Sequence, residues 1–171
     1  MKRVSWVLIL IPLLLAACQE SLPSEPIDAI QTNQAFQKGY SHYTDGIFGF
    51  SVTFPTTWSS TTSKYREATE QENSSPDSDI YIFIDGKEEN MIRIYGQHGQ
   101  IAILDKETYE ATEFHTDSGL QGILYQKTMD SKKDCHLLFS ENKHLAASIR
   151  MGCTVFNENK EKILDVLRSI Q

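Results

Sequence analysis

Three cysteines and five histidines are the side chains in this sequence best suited to nucleophilic or metal chemistry. The histidines are His42, His98, His115, His136 and His144, and no two stand at an H-x-x-x-H, H-x-H or H-E-x-x-H spacing. A metal site would have to assemble from distant residues, for example His98 and His115 with nearby carboxylates, and none is expected. Asp77, Asp79 and Asp85 lack the spacing of a calcium loop and read as solvated charge. No serine stands in G-x-S-x-G. Cys135 and His136 are adjacent, and on a strand adjacent side chains point to opposite faces, so they cannot act as nucleophile and base. Glu67, Glu70 and Glu72 read as an acidic patch on a polar loop. Neither a phosphate loop nor a dinucleotide fingerprint is present, so no catalytic residue and no cofactor is expected. Tyr40, Tyr43, Trp58 and Tyr65 place aromatics around the start of the folded region. Most suit the edge of a core. Tyr43, Trp58 and Tyr65 are the candidates for a binding surface, because exposed aromatics anchor partners.

The third cysteine has a different context. Lys2 and Arg3 precede an apolar run from Val4 to Leu15, interrupted by Ser5 and Pro12. The run is shorter than the about 20 residues that span a bilayer and has the proportions of an export signal. It ends in Leu15-Ala16-Ala17-Cys18, which resembles the bacterial lipobox, in which the cysteine thiol is acylated and the bond before it is cut. Residues 1–17 are therefore expected to be a lipoprotein signal peptide, with Cys18 the lipidation site. The acyl chains, each contributing ~0.8 kcal/mol per buried methylene, would hold the protein on a membrane. Residues 18–42 are polar and carry Pro23 and Pro26, so a lipidated tether is expected, although Ile27, Ile30 and Phe36 would also suit a short helix. The chain of 171 residues has 16 basic and 23 acidic side chains, a net charge of −7, which excludes nucleic-acid binding through a broadly basic surface.

Residues 43–171 must supply the fold. Phe48, Phe50, Val52 and Phe54 alternate with small or polar residues, the period of a half-buried strand that Pro55 ends. Residues 59–79 read as a long loop. Ile80, Ile82 and Ile84 alternate with Tyr81 and Phe83, which suggests a central strand apolar on both faces. Asp85-Gly86 turns the chain into a strand over 91–95. A helical turn over 105–109 and strands over 113–115 and 120–128 follow. The segments 135–140 and 145–152 form a hairpin around residues 141–144. Asn157 is the expected N-cap of a closing helix whose Ile163, Val166, Leu167 and Ile170 form one apolar stripe. Six or seven strands and a terminal helix make an α+β fold, a central antiparallel sheet flanked by helices, with the last helix packed on it.

Three stretches, in order, carry a resemblance: Gly49-Phe50-Ser51-Val52-Thr53-Phe54-Pro55 with Trp58, Asp117-Ser118-Gly119-Leu120-Gln121-Gly122, and Ile163-Leu164 with Leu167, Ser169 and Ile170. Together they resemble the PsbP-like family, which includes many small bacterial envelope proteins. The resemblance covers about residues 43–171. It implies a central antiparallel sheet between helical layers, and a binding or assembly role rather than a shared catalytic site. The expected function is thus a membrane-anchored, non-catalytic envelope lipoprotein that binds a protein partner or a small ligand. The alternatives are an enzyme with a site built from loop residues and a metal-binding carrier. The expected location is the bacterial cell envelope, lipid-anchored. In a cell with two membranes it would be the outer membrane facing the periplasm, since Gln19 is not the Asp that resembles an inner-membrane retention signal.

An oxidising compartment and an even pair of remaining thiols lead to one further expectation, a disulfide between Cys135 and Cys153 across the ends of the last hairpin. Cys18→Ala is expected to abolish incorporation of a labelled fatty acid; label taken up by the variant at the wild-type level overturns the lipidation site.

Overall fold

The computed structural model describes residues 38–63, 77–101 and 106–171. The export signal, Cys18, residues 18–37 of the tether, Asp105, and the loop bearing Tyr65, Glu67, Glu70 and Glu72 lie outside the described residues.

Two strands, β1 (Tyr40–Thr44) and β2 (Ser51–Pro55), form an antiparallel pair from Tyr40 opposite Pro55 to Thr44 opposite Ser51. Seven more follow: β3 (Ser59–Thr62), β4 (Asp77–Phe83), β5 (Met91–Gln97), β6 (Glu110–His115), β7 (Gln121–Met129), β8 (Lys132–Phe139) and β9 (Leu145–Gly152). They make one antiparallel sheet in the order β3-β4-β5-β9-β8-β7-β6. The helix α1 (Cys153–Arg168) closes the fold, which is α+β. Among the described residues no helix is long and apolar enough to cross a membrane.

Period-two alternation puts one apolar face on every central strand. Ile80 and Ile82, Ile92 and Ile94, Ala147, Ile149 and Met151, and Cys135, Leu137 and Phe139 are all buried on that face. The stripe of α1 lies against it: Phe156, Ile163, Val166 and Leu167 are buried too, and so is Ile170, which the apolar spacing put on the helix but which follows its end at Arg168. The β1–β2 hairpin packs on the same helix, with Phe50, Val52 and Phe54 in the common core. It is fastened by hydrogen bonds. Ser51 and Gln171 each donate an N–H to the other's carbonyl at 3.2 Å. The Thr53 N–H donates to Ser169 Oγ at 2.9 Å, and that hydroxyl stands 3.0 Å from the Thr53 carbonyl. Nearby, the Phe48 ring occupies the space a side chain at Gly96 would need.

Asp45 shapes the turn between β1 and β2. Its carboxylate is 2% exposed and accepts the Ile47 N–H at 3.0 Å, the Phe48 N–H at 2.7 Å, the Tyr43 hydroxyl at 3.3 Å and the Ser78 hydroxyl. Burial, and then the adjoining Asp45 charge, raises the Tyr43 phenol well above its usual range.

Several boundaries differ from the sequence expectation. Tyr40–His42, read as tether, belong to β1, where the β2 backbone supplies their partners. Ser59–Thr62, read as loop, form the edge strand β3, whose side chains are almost all exposed and so show no apolar period. The Ile80 strand lies next to that edge, and the central strand is β9. The helix begins at Cys153, before Asn157, and its Gly152 cap provides no side-chain hydrogen bond. Instead β9 runs straight into it, the Cys153 N–H donates to the Ser131 carbonyl at 2.9 Å, and buried Phe156 adds a turn to the stripe.

Leu167 is fully buried in the last turn of α1. Leu167→Ala is expected to cost about 2–5 kcal/mol, read from the midpoint of chemical denaturation; an unchanged midpoint would mean that α1 contributes nothing to the core.

Candidate functional site on the open face of the sheet

The residues that alternate with the core stand on the other face. Tyr81, Arg93, Ser148, His136 and Tyr125 lie opposite one another in a single row across β4, β5, β9, β8 and β7, and all are half-buried. Two polar clusters and one groove occupy this face.

The first cluster centres on Arg93. Its Nε donates to Asp79 at 2.8 Å, and its Nη2 lies 2.6 Å from Asp79 and 3.1 Å from Asp77. The guanidinium stacks 4.3 Å from the Tyr95 ring centre and 5.6 Å from that of Tyr81. Asp79 is fully buried and also accepts the Ser63 hydroxyl. A cation held by two carboxylates and two rings is committed to structure.

The second cluster is made by the connection from β5 to β6. Its described residues are 98–101, next to β5, and 106–109, next to β6. Its 3-10 turn, Lys106–Thr108, places Tyr109 so that its hydroxyl donates to Asp134 Oδ2 at 2.7 Å. His136 Nε2 lies 3.4 Å from the same oxygen, and its ring meets Tyr109 edge-on at 5.7 Å between centres. Burial, and then the Asp134 hydrogen bond and charge, push the Tyr109 phenol up to about 12, against the opposing effect of Arg150. A phenol so held is a poor base and a poor nucleophile. The cluster can orient a neighbouring group.

The groove lies between that connection and the sheet. It has a volume of about 210 Å³. Ile123 and Leu138, opposite each other on β7 and β8, form its floor with Tyr125, and Ile101 lines it beside Lys106 and Lys143. Lys106 Nζ stands 5.7 Å from the Tyr125 ring centre. The hairpin tip between β8 and β9 fixes the other wall. The Gln97 N–H donates to the His144 carbonyl at 2.9 Å, the Ile101 N–H reaches the Lys143 carbonyl at 3.4 Å, and His144 Nδ1 lies 3.1 and 3.2 Å from the Gln97 and Gly99 carbonyls. A second cleft, of about 230 Å³, is lined by Thr53 and Ser169, which already bond to each other in fastening the hairpin.

The structure redistributes the residues singled out from sequence. Tyr43 and Trp58 are 7% and 6% exposed and belong to the core, so neither forms a binding surface. Tyr65 lies outside the described residues. His98 packs on Phe48 beyond the end of β5, while His115 ends β6, four strands away, about 19 Å at the usual spacing. That is too far for a shared metal. Among the described residues no three His, Cys, Asp or Glu side chains gather as a metal site. Cys135 faces the core and His136 the open face, so they form no dyad.

The expected disulfide is absent: Cys135 and Cys153 are both free thiols. The register explains why. Cys135 stands opposite Ile149, and Cys153 comes four residues later, where α1 has begun beside Ser131.

Lys106, Tyr109, Asp134 and Lys143 were not among the residues marked in the sequence. Their only signal there was negative: four ordinary polar residues in loops and on a strand, brought together by the path of one connection. The chain matches no protein-family model, and no curated protein matches it significantly.

Burial pushes the Cys135 thiol up to about 12, with Lys133 opposing and Asp134 and Cys153 adding to the rise. An alkylating reagent is therefore expected to label half-buried Cys153 in the native protein and Cys135 only after unfolding. Native labelling of Cys135 at the rate of Cys153 would contradict its place in the core. The same shift, with that of Tyr109, sets a pH dependence. The folded state keeps both protons up to about 12, whereas the unfolded groups lose them near their ordinary values of 9.0 and 10.0. The stability they contribute is complete below pH 9.0 and is lost as pH rises through that window, measurable as a falling denaturation midpoint.

Proposed function

We propose that this chain is a lipid-anchored protein of the bacterial envelope whose PsbP-like domain works by binding, not by catalysis, and that the open-face groove is where it binds. The observation that carries this reading is the groove itself: an apolar floor, a tyrosine and two lysines, walled by a connection that the hairpin tip holds in place. A concave site with a mostly apolar lining and few polar groups is the usual form of a ligand or peptide site. The sheet of seven antiparallel strands with a terminal helix supports the α+β part of this reading, although the described residues hold one helical layer where the resemblance implies two, and Cys18 supplies the anchor in this reading. The buried, raised thiol of Cys135 and the hydrogen-bonded phenol of Tyr109 favour binding over a nucleophilic mechanism.

A photo-crosslinking residue placed at Ile123 in the cell tests it. The expected result is a discrete crosslinked species in the envelope fraction, weakened by Leu138→Glu, which puts a charge on the groove floor. A crosslink pattern no different from that of the same residue at exposed Lys160 on α1 would overturn the groove as the binding site.

A further inference from the structure

The charge and shape of the groove narrow what it binds, given that it is a binding site. Lys106 and Lys143 are its charged residues, and none of the described residues lining it is acidic. This is an inversion: the whole chain carries 23 acidic against 16 basic side chains. Among the described residues neither lysine takes part in an ion pair. Two ammonium groups at one opening repel a cation and each other, and a negative charge between them relieves both effects.

The floor asks for something else. Ile123 and Leu138 form a cross-strand pair on the open face, half-buried, with Ile101 on the near wall and Leu145 at the end. Covering them removes apolar surface from water, a favourable and non-directional term. The occupant therefore has an apolar body and an anionic end. Its head is a compact anion, since the described lining offers two ammonium point charges and no broader basic surface. Its body is short, since about 210 Å³ falls below the roughly 300–1,000 Å³ of pockets that enclose drug-sized ligands.

We propose that the groove binds an acyl chain of medium length through its carboxylate, with the chain laid over Ile123 and Leu138 and the carboxylate between Lys106 and Lys143. Gln100 and Ile101 form one side of the site, and Tyr125, which stands near Lys106 and opposite His136, lies between it and the Tyr109–Asp134–His136 cluster.

The test titrates octanoate into the whole mature chain, residues 18–171, made with Cys18→Ser so that no attached acyl group competes, and follows the methyl NMR signals of Ile123 and Leu138. Octanoate is expected to shift both signals saturably, and octylammonium at equal concentration to leave them in place. Lys106→Gln with Lys143→Gln is expected to weaken octanoate binding about fivefold to tenfold, the effect of losing two exposed charge pairs. Lys160→Gln is expected to leave it unchanged. The proposal is overturned if octanoate shifts neither signal, if octylammonium shifts them equally, or if the double variant binds as the parent does. A groove that ignores octanoate yet still crosslinks to an envelope protein through Ile123 refutes the acyl carboxylate while leaving the binding role intact. Failure of both removes the groove from either role.

Discussion

Everything in this domain rests on the burial of one helical stripe. Phe156, Ile163, Val166 and Leu167 are the only α-helical surface that the inner face of the sheet finds among the described residues, and Ile170 extends it just past the helix end. An antiparallel sheet with one wet face needs its other face covered, and here a single helix of 16 residues does it, aided by a two-stranded hairpin. The hairpin stays because β2 bonds to the residues after α1: Ser51 and Gln171 exchange backbone hydrogen bonds, and the Ser169 hydroxyl bonds the Thr53 backbone. Sheet, helix and hairpin are thus mutually dependent. Removing the stripe would expose the isoleucines of β4 and β5 and leave β1–β2 without a surface to dock on.

That arrangement concentrates the dry packing on one side and leaves the other for chemistry. The open face carries arginine, histidine, tyrosine and aspartate where the closed face carries isoleucine and leucine. Its polar groups divide into those spent on structure and those available. Arg93 is fully engaged by Asp77 and Asp79, and Asp134 by Tyr109 and His136. Lys106 and Lys143 have no such carboxylate partner among the described residues, and that difference, rather than the number of charged residues, distinguishes the groove.

The closed face was readable in the sequence because it obeys a period. Leu137, Phe139, Ala147, Ile149 and Met151 are inward as their odd spacing requires, and Ile163, Val166, Leu167 and Ile170 are buried as the helical spacing requires. Strand β9 runs over the expected residues 145–152. The open face was not readable, because half-buried polar residues have no period to betray them. Ser59–Thr62 looked like loop for the same reason. Tyr43 and Trp58 are of types that suit either a core edge or a binding surface, and both lie in the core, with Asp45 satisfying the Tyr43 hydroxyl. The site depends on where the β5–β6 connection runs, which is a matter of strand order, and strand order has no local signature. The cysteine pair shows how a small error in register propagates: two thiols near the ends of adjacent strands are neighbours only if those ends are level.

Strand order also governs when the sheet can exist at all. The central strand, β9, is the last to be made, and it must insert between β5 and β8, which reach only their hairpin partners without it. Until then the polypeptide holds two half-sheets, β3-β4-β5 and β6-β7-β8, each with an unsatisfied inner edge and an uncovered apolar face. A chain threaded through a narrow channel from its N-terminus would emerge in that divided state and remain easy to unfold until residues 145–168 arrived. Completion by residues 145–168 therefore makes closure of the sheet abrupt, with strand and helix delivered together as one contiguous segment.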